Sequence, residues 1–359
     1  MPVRTIRQLQ TSLSRSRIGE IAMRNRRGAA LLVTLMILAI IIILTAQLSS
    51  STRTSAVLST NYTSDLQNYH ALRAGVNYAV MMLRTDVGKG VTEDTVHETW
   101  AEPYGESNPL MVGDTQVTFR VEDEERRLSA RSITVQVQEG DKKVTKPNPK
   151  ARERMDRLVH LLGIAFDQFG QRIVDYQDTD KEGGFEDGDD DQPLLSFGEM
   201  LLVNGFNEEL LYGKGGKLPQ EQGLGPWLTV WGSGAVNINT APLEVLMCLH
   251  EKITKVEAER IISYRDAKKQ DGTFQSFAQI DKAVLVNDLR MTEEIADILV
   301  DVAKEGALGV KGTYFSVHLR ARTGNFESRA RVVLKREGAN VSVVFWDDDQ
   351  RFTRMEEKR

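Results

Sequence analysis

Between Asp175 and Asp191 the chain reads DYQDTDKEGGFEDGDDD, and the spacing of its carboxylates could hold a hard cation. Asp178, Asp180, Glu182, Gly183, Glu186 and Asp189 fall at positions 1, 3, 5, 6, 9 and 12 of a calcium-loop template. Phe185 takes the apolar eighth place. Carboxylates this close repel one another unless a cation lies between them. Glu at position 5 and Asp at position 12 depart from the template, and the shorter Asp is less able to offer two oxygens. A solvated acidic loop is the plain alternative. An ion here would be structural, because no nucleophile or base stands nearby.

Other chemistry is sparse. The five histidines (His70, His97, His160, His250, His318) are scattered, with no H-E-x-x-H and no G-x-S-x-G. Gly213-Lys214-Gly215-Gly216-Lys217 lacks the Walker spacing, and Cys248, the only cysteine, reads as a small core residue. The chain is not expected to be an enzyme. The stretch from Asn237 to Ile280 resembles a helix-hairpin-helix unit, in which a glycine-containing turn sets backbone N–H groups against a phosphate. Here the turn is His250-Glu251-Lys252-Ile253-Thr254; it has no glycine, and Glu251 would repel a phosphate. It reads as a packing module with no nucleic-acid contact. A membrane-anchored periplasmic receptor binding DNA through this unit is the alternative function.

The elements that must carry these motifs begin with an apolar run of 20 residues, Ala29 to Leu48. As a helix it spans roughly 30 Å, the hydrocarbon thickness of a bilayer. Residues 1–28 hold seven Arg against Glu20, a local charge of +6 in a chain of −5, so the remainder carries −11. The positive-inside rule keeps the basic end cytoplasmic and exports the rest. An exported part this acidic argues against general affinity for nucleic acid or anionic lipid.

Leu58, Tyr62, Leu66, Tyr69, Leu72, Val76, Val80 and Leu83 continue the helix with one apolar face, to about Asp86. Thr115–Glu122 and Ser132–Gln138 alternate as strands and suggest a hairpin around VEDEERRLS. A polar, Pro-containing stretch then marks a boundary at about residue 148. One amphipathic face runs through Met155, Leu158, Val159, Leu162, Phe166 and Phe169. Pro242 opens a second helix, and Thr254 to Glu257 is a capping box for a third. Strands return from Thr313, Ser328 and Val341.

The junction Arg24-Asn25-Arg26-Arg27-Gly28-Ala29, followed by an uninterrupted apolar helix, resembles a type IV prepilin signal. That resemblance implies cleavage by the prepilin peptidase between Gly28 and Ala29, and N-methylation of Ala29. Most relatives carry Glu as the fifth mature residue; here it is Val33. Loss of that carboxylate, with Val236-Asn237-Ile238-Asn239-Thr240-Ala241-Pro242, resembles the minor pseudopilin K of the type II secretion system.

The implied fold is α+β, with a long pilin-like N-terminal helix packed on an antiparallel sheet. A large inserted all-α domain contains the helix-hairpin-helix-like unit. The expected division is leader 1–28, transmembrane helix 29–48, pilin-like helix and first strands 49–148, inserted helical domain 149–310, and C-terminal strands 311–359.

The implied function is capping the tip of the periplasmic pseudopilus and helping to initiate its assembly for export across the outer membrane. Val33 marks the filament tip. The expected partners are the I-, J- and H-type minor pseudopilins, the major pseudopilin, the prepilin peptidase and the inner-membrane secretion platform. The protein would span the inner membrane once, with its C-terminal domain in the periplasm. The family's association of an acidic loop with calcium adds Ca2+ as a structural cofactor on Asp178, Asp180, Glu182, Glu186 and Asp189.

Overall fold

The computed structural model describes all residues except 1–3, 89, 91, 140–141, 179–183, 186–192, 216–220 and 349–359, and no side chains for 4–27, 139, 142 and 143. Two compact units divide the chain, residues 1–64 and 65–359. Helix α1 (Arg4–Gly88) supplies the described structure of the first unit and opens the second.

In the first unit every side chain from Leu31 to Leu48 is exposed, as a lipid-facing helix requires. Thr34 and Thr45 donate their hydroxyls back to the carbonyls of Leu31 (2.8 Å) and Ile41 (2.5 Å), so neither presents an unsatisfied group to hydrocarbon. This single apolar helix fits a single-pass membrane anchor ahead of a soluble C-terminal domain.

The second unit continues from α1 into β1 (Leu110–Val112) and β2 (Thr115–Asp123). After a 3-10 turn at Glu124–Arg126 come β3 (Leu128–Ser129), β4 (Thr134–Glu139) and β5 (Lys142–Pro147). Then follow α2 (Pro149–Leu161), α3 (Phe169–Gln177), α4 (Glu208–Tyr212), β6 (Leu228–Thr229) and β7 (Val236–Asn237). Helices α5 (Leu243–Cys248), α6 (Lys255–Arg265), α7 (Lys282–Asn287) and α8 (Glu293–Lys304) precede β8 (Leu308–Gly309). The chain closes with β9 (Tyr314–Thr323), β10 (Phe326–Glu337) and β11 (Asn340–Asp347).

The main sheet has the order β1-β2-β9-β10-β11, with every pair antiparallel. Strands β2 and β9 are therefore spatial neighbours separated by the whole helical part of the sequence. Alternation places Val117, Phe119 and Val121 opposite Ala321, Leu319 and Val317, all buried on one face with Ala330, Val332 and Leu334. Against that face α1 lays Ala71, Leu72, Val76, Ala79 and Leu83. Gly75 permits the close approach: a Cβ there would lie 2.7 Å from Leu319 Cδ2.

Of the apolar face expected along α1, Leu72, Val76 and Leu83 are buried, whereas Leu58, Tyr62, Leu66 and Tyr69 are exposed. The sheet covers the helix from about Asn68, which is buried against Thr323, Phe326 and Ser328, to its end.

The expected hairpin around VEDEERRLS is corrected. Strand β2 pairs with β1 and β9, while β4 pairs with β5, formed by the polar stretch expected to mark a boundary. The buried run Asp123–Glu125 turns the chain out of the sheet at that point. Leu128, Ala130 and Ile133 already pack in the core of the helical part, with Met155, Leu158, Phe169, Ile173, Leu246 and Leu299.

The amphipathic face from Met155 to Phe169 is also broken in two. Gly163 (φ 69°) and Gln168 (φ 52°) adopt left-handed backbone between α2 and α3. The capping box of α6 forms as expected, with Thr254 and Glu257 closing the first turn reciprocally.

Candidate functional site at the neck of the helical insert

Two segments join the insert to the sheet: Asp123–Glu125 leaving β2, and Val310–Tyr314 entering β9. Four consecutive carboxylates, Glu122 to Glu125, lie in the first, and three of them are at most 2% exposed. Burying four acids in a row is tolerable only if each finds donors.

The acids divide by parity. Glu122 and Glu124 face cations. Arg127 pairs with both, Arg331 reaches Glu124 Oε1 at 2.8 Å, and Thr229 donates to the other Glu124 oxygen. Asp123 and Glu125 face neutral donors instead. Asn237 Nδ2 and Thr240 Oγ1 donate to Asp123 Oδ2 at 2.8 and 2.7 Å, and the N–H of Glu125 donates to Oδ1 at 2.9 Å. Glu125 accepts the backbone N–H groups of Ser233 and Tyr314, each at 3.0 Å.

A loop after α1 fastens both segments. The backbone N–H of Asp94 donates to the Val310 carbonyl (2.9 Å), and its own carbonyl accepts from Asn237 (3.0 Å). Its carboxylate accepts the Gly312 N–H (2.8 Å) and pairs with Arg336. Arg336 also donates to the Gly312 carbonyl (2.9 Å) and lies 3.6 Å from Asp86 in the last turn of α1. Gly312 has no space for a side chain, since a Cβ would stand 2.6 Å from Asp123 Oδ1 and 2.8 Å from the Phe315 ring. Farther along the loop, His97 stacks on Phe274 (3.6 Å between centroids) and meets Asp266 at 3.0 Å.

Burial would raise the Glu122 carboxyl, but Arg127, His318, Arg120 and Arg126 hold it well below the carboxylate range. Glu124 is likewise lowered, burial being outweighed by Arg127 and Arg331. Asp123, which has no cation, is raised by burial and by Asp94 to about 6, against its bonds to Thr240 and Asn237. Burial and then Asp123 raise Glu125 well above its ordinary value. Burial, then Asp86, lifts Glu98 to about 8. The neck is thus a fully buried polar joint with two kinds of carboxyl, ion-paired and neutral-donor.

The motif Val236 to Pro242 supplies this joint. Asn237 and Thr240 bind Asp123, while Asn239 grips residue 277 from both sides, accepting the Phe277 N–H (2.8 Å) and donating to its carbonyl (3.0 Å). Its sequence resemblance identified the stretch without showing what it holds. Asp94, Asp123, Glu125 and Arg336 were not singled out in the sequence, where a charged run ordinarily reads as a solvated turn.

The other expected site residues are dispersed. Gly28, Ala29 and Val33 are exposed on α1, Val33 at 53%. Of the acidic-loop positions, Asp178 is described, buried at the C-terminal end of α3, whereas Asp180, Glu182, Glu186 and Asp189 lie outside the described residues. Beside Asp178, Asp175 accepts the Phe185 N–H (3.1 Å), and Arg172 lies 3.9 Å from the Phe185 ring centroid. In the helix-hairpin-helix-like turn, Lys252 is ion-paired with Glu294 and Glu251 is exposed. Cys248 is buried, and burial raises its thiol far above the nucleophilic range.

A long N-terminal helix on an antiparallel sheet, interrupted between neighbouring strands by a helical insert, defines an α+β protein. The family model for protein K of the type II secretion system matches residues 236–301, from the neck strand β7 into α8. A chain of the crystal structure of the GspK-GspI-GspJ complex from the enterotoxigenic Escherichia coli type 2 secretion system shares the fold. Its TM-score is 0.55 at 14% identity, over 79% of this chain and 96% of that one. No curated protein matches by sequence. Family match and fold agree with the resemblance read from the sequence, a type II secretion system minor pseudopilin K. That family is a structural, non-enzymatic part of the secretion machinery.

Proposed function

We propose that this protein caps the tip of the periplasmic pseudopilus and helps to initiate its assembly for protein export across the outer membrane. The observation that carries the reading is the insert between neighbouring strands β2 and β9, held by a buried neck rather than a linker. A bulky body fixed to the pilin-like sheet suits the end of a filament better than its shaft. Val33 supports the same position, because the buried carboxylate that relatives offer to a neighbouring subunit is missing.

In this reading the prepilin peptidase cuts between Gly28 and Ala29 and Ala29 is N-methylated. The apolar helix stays in the inner membrane, with the rest of the chain in the periplasm. A solved structure with this fold is a complex of GspK, GspI and GspJ. By analogy the I- and J-type minor pseudopilins are the first partners, followed by the H-type and major pseudopilins and the inner-membrane platform. Ca2+ would be held by Asp178, Asp180, Glu182, Glu186 and Asp189, pinning the acidic loop. The buried Asp178 at the end of α3 and the bond from the Phe185 N–H to Asp175 support a placement of the ion near that helix end.

Mass spectrometry of the protein from its native membrane is the test. A chain beginning at methylated Ala29 and co-purifying with small pseudopilins is expected; an uncut leader would overturn the reading.

A further inference from the structure

Strand β11 ends the main sheet, and no strand lies beyond it among the described residues. At the opposite edge β1 has only three residues, whereas β11 has eight. The two-residue turn Gly338-Ala339 makes Glu337 and Asn340 a hydrogen-bonded pair. Alternation then turns the backbone N–H and C=O groups of Val341 and Val343 away from β10. Arg84 of α1 reaches the Val341 carbonyl at 3.4 Å on the side away from β10, so an incoming strand would take that acceptor in exchange for pairing Arg84 with its own carboxylate.

Natural sheet edges are commonly blunted by Lys, Pro or a bulge. The sequence NVSVVFW, Asn340 to Trp346, has no charge and no proline. Its register shift falls beyond Val343, so Asn340–Val343 pairs with β10 without interruption.

Val343 is 49% exposed, and the half-exposed Tyr69 ring lies 6.3 Å from Trp346. Along the same side α1 shows Arg73, over the Tyr69 ring at 5.9 Å, and Arg84. Both are exposed, and neither meets a carboxylate among the described residues. Eleven helical positions separate them by roughly 16 Å, about five residues of extended chain. A second copy pairing edge to edge would bring its own arginines to the same rim, like charge against like. The occupant that fits is a different, acidic chain.

We propose that the β11 edge accepts an extended strand of another protein by β-augmentation, with apolar residues over Val343 and Trp346 and acidic residues at Arg73 and Arg84. The assignment is independent of the tip position.

The test uses full-length protein in detergent micelles and a fluorescein-labelled peptide alternating Val with Thr, with two Glu spaced to match the arginines. Saturable anisotropy is expected, weakening as salt rises. Val343→Pro removes an outward N–H and leaves the β10 ladder intact, so binding should fall at least about tenfold. R73Q/R84Q should weaken binding similarly and remove its salt dependence. The same peptide N-methylated on its pairing edge controls for a variant that fails to fold, and it should not bind. Three outcomes would overturn the proposal: equal binding of the N-methylated peptide, full displacement by duplex DNA or anionic vesicles, or occupation of the edge by a second copy of this chain.

Discussion

Asp123, the last residue of β2, accepts a hydrogen bond from Asn237 of β7 at 2.8 Å, across 114 residues of sequence, with both side chains buried. The same amide group donates to the Asp94 carbonyl, so one asparagine ties strand, loop and insert together. Replacing Asn237 by Ala would remove one of three donors to a buried carboxylate and leave the Asp94 carbonyl without its side-chain donor. The expected loss is about 2–3 kcal/mol, read as a lower urea midpoint with an unchanged slope. N237D should cost more, because it sets a third carboxylate against Asp94 and Asp123.

Gly312 gives a steric counterpart. Gly312→Ala drives a methyl group into Asp123 and Phe315, which the neck cannot move without breaking its bonds. A loss of about 1–3 kcal/mol is expected, against about zero for Gly105→Ala, where open space surrounds a glycine outside the left-handed region. Thermal unfolding of the two variants side by side distinguishes packing at the neck from a general effect of glycine replacement.

Stability should fall as pH rises from the ordinary carboxylate range toward about pH 8. Folded Asp123 (about 6), Glu98 (about 8) and the raised Glu125 bind protons more tightly than the unfolded chain does. Their contribution is complete below the unfolded values and lost as pH climbs through the folded ones. Glu122 and Glu124 act in the opposite sense, losing their contribution as pH falls below the ordinary range. Urea midpoints at about pH 5, 6.5 and 8 should decline in that order, with a smaller decline for Asp123→Asn between the first two.

Calcium removal tests the acidic loop. Adding EDTA should lower the melting temperature and excess Ca2+ should restore it, with about 2.7 kcal/mol gained at a hundredfold excess over Kd. In Asp178→Asn the response should shrink, while the same protein without EDTA keeps its fold. An identical melting curve with and without EDTA would remove the ion from the account.

The strands of the main sheet were legible because Val117, Phe119 and Val121 alternate, as do Val317, Leu319 and Ala321. Thr254 and Glu257 announced their helix through local chemistry alone. What escaped was long-range. Nothing local in VEDEERRLS says that Glu124 will meet Arg331 or that Asp123 will meet Asn237, so the run looked like a solvated turn. The break between α2 and α3 was hidden for a different reason. Its left-handed positions include Gln168, a residue type that seldom adopts that backbone. The seam of Asn237, Asn239 and Thr240 could be located by resemblance, but its work becomes visible only when Asp123 at the end of β2 meets Asn237 and Thr240.

The neck also has a mechanical meaning. A single guanidinium, Arg336, joins Asp86 in the last turn of α1 to Asp94 and to the carbonyl of Gly312. The segment that leads out of the insert is therefore tied to the end of the helix by side chains as well as by the chain itself.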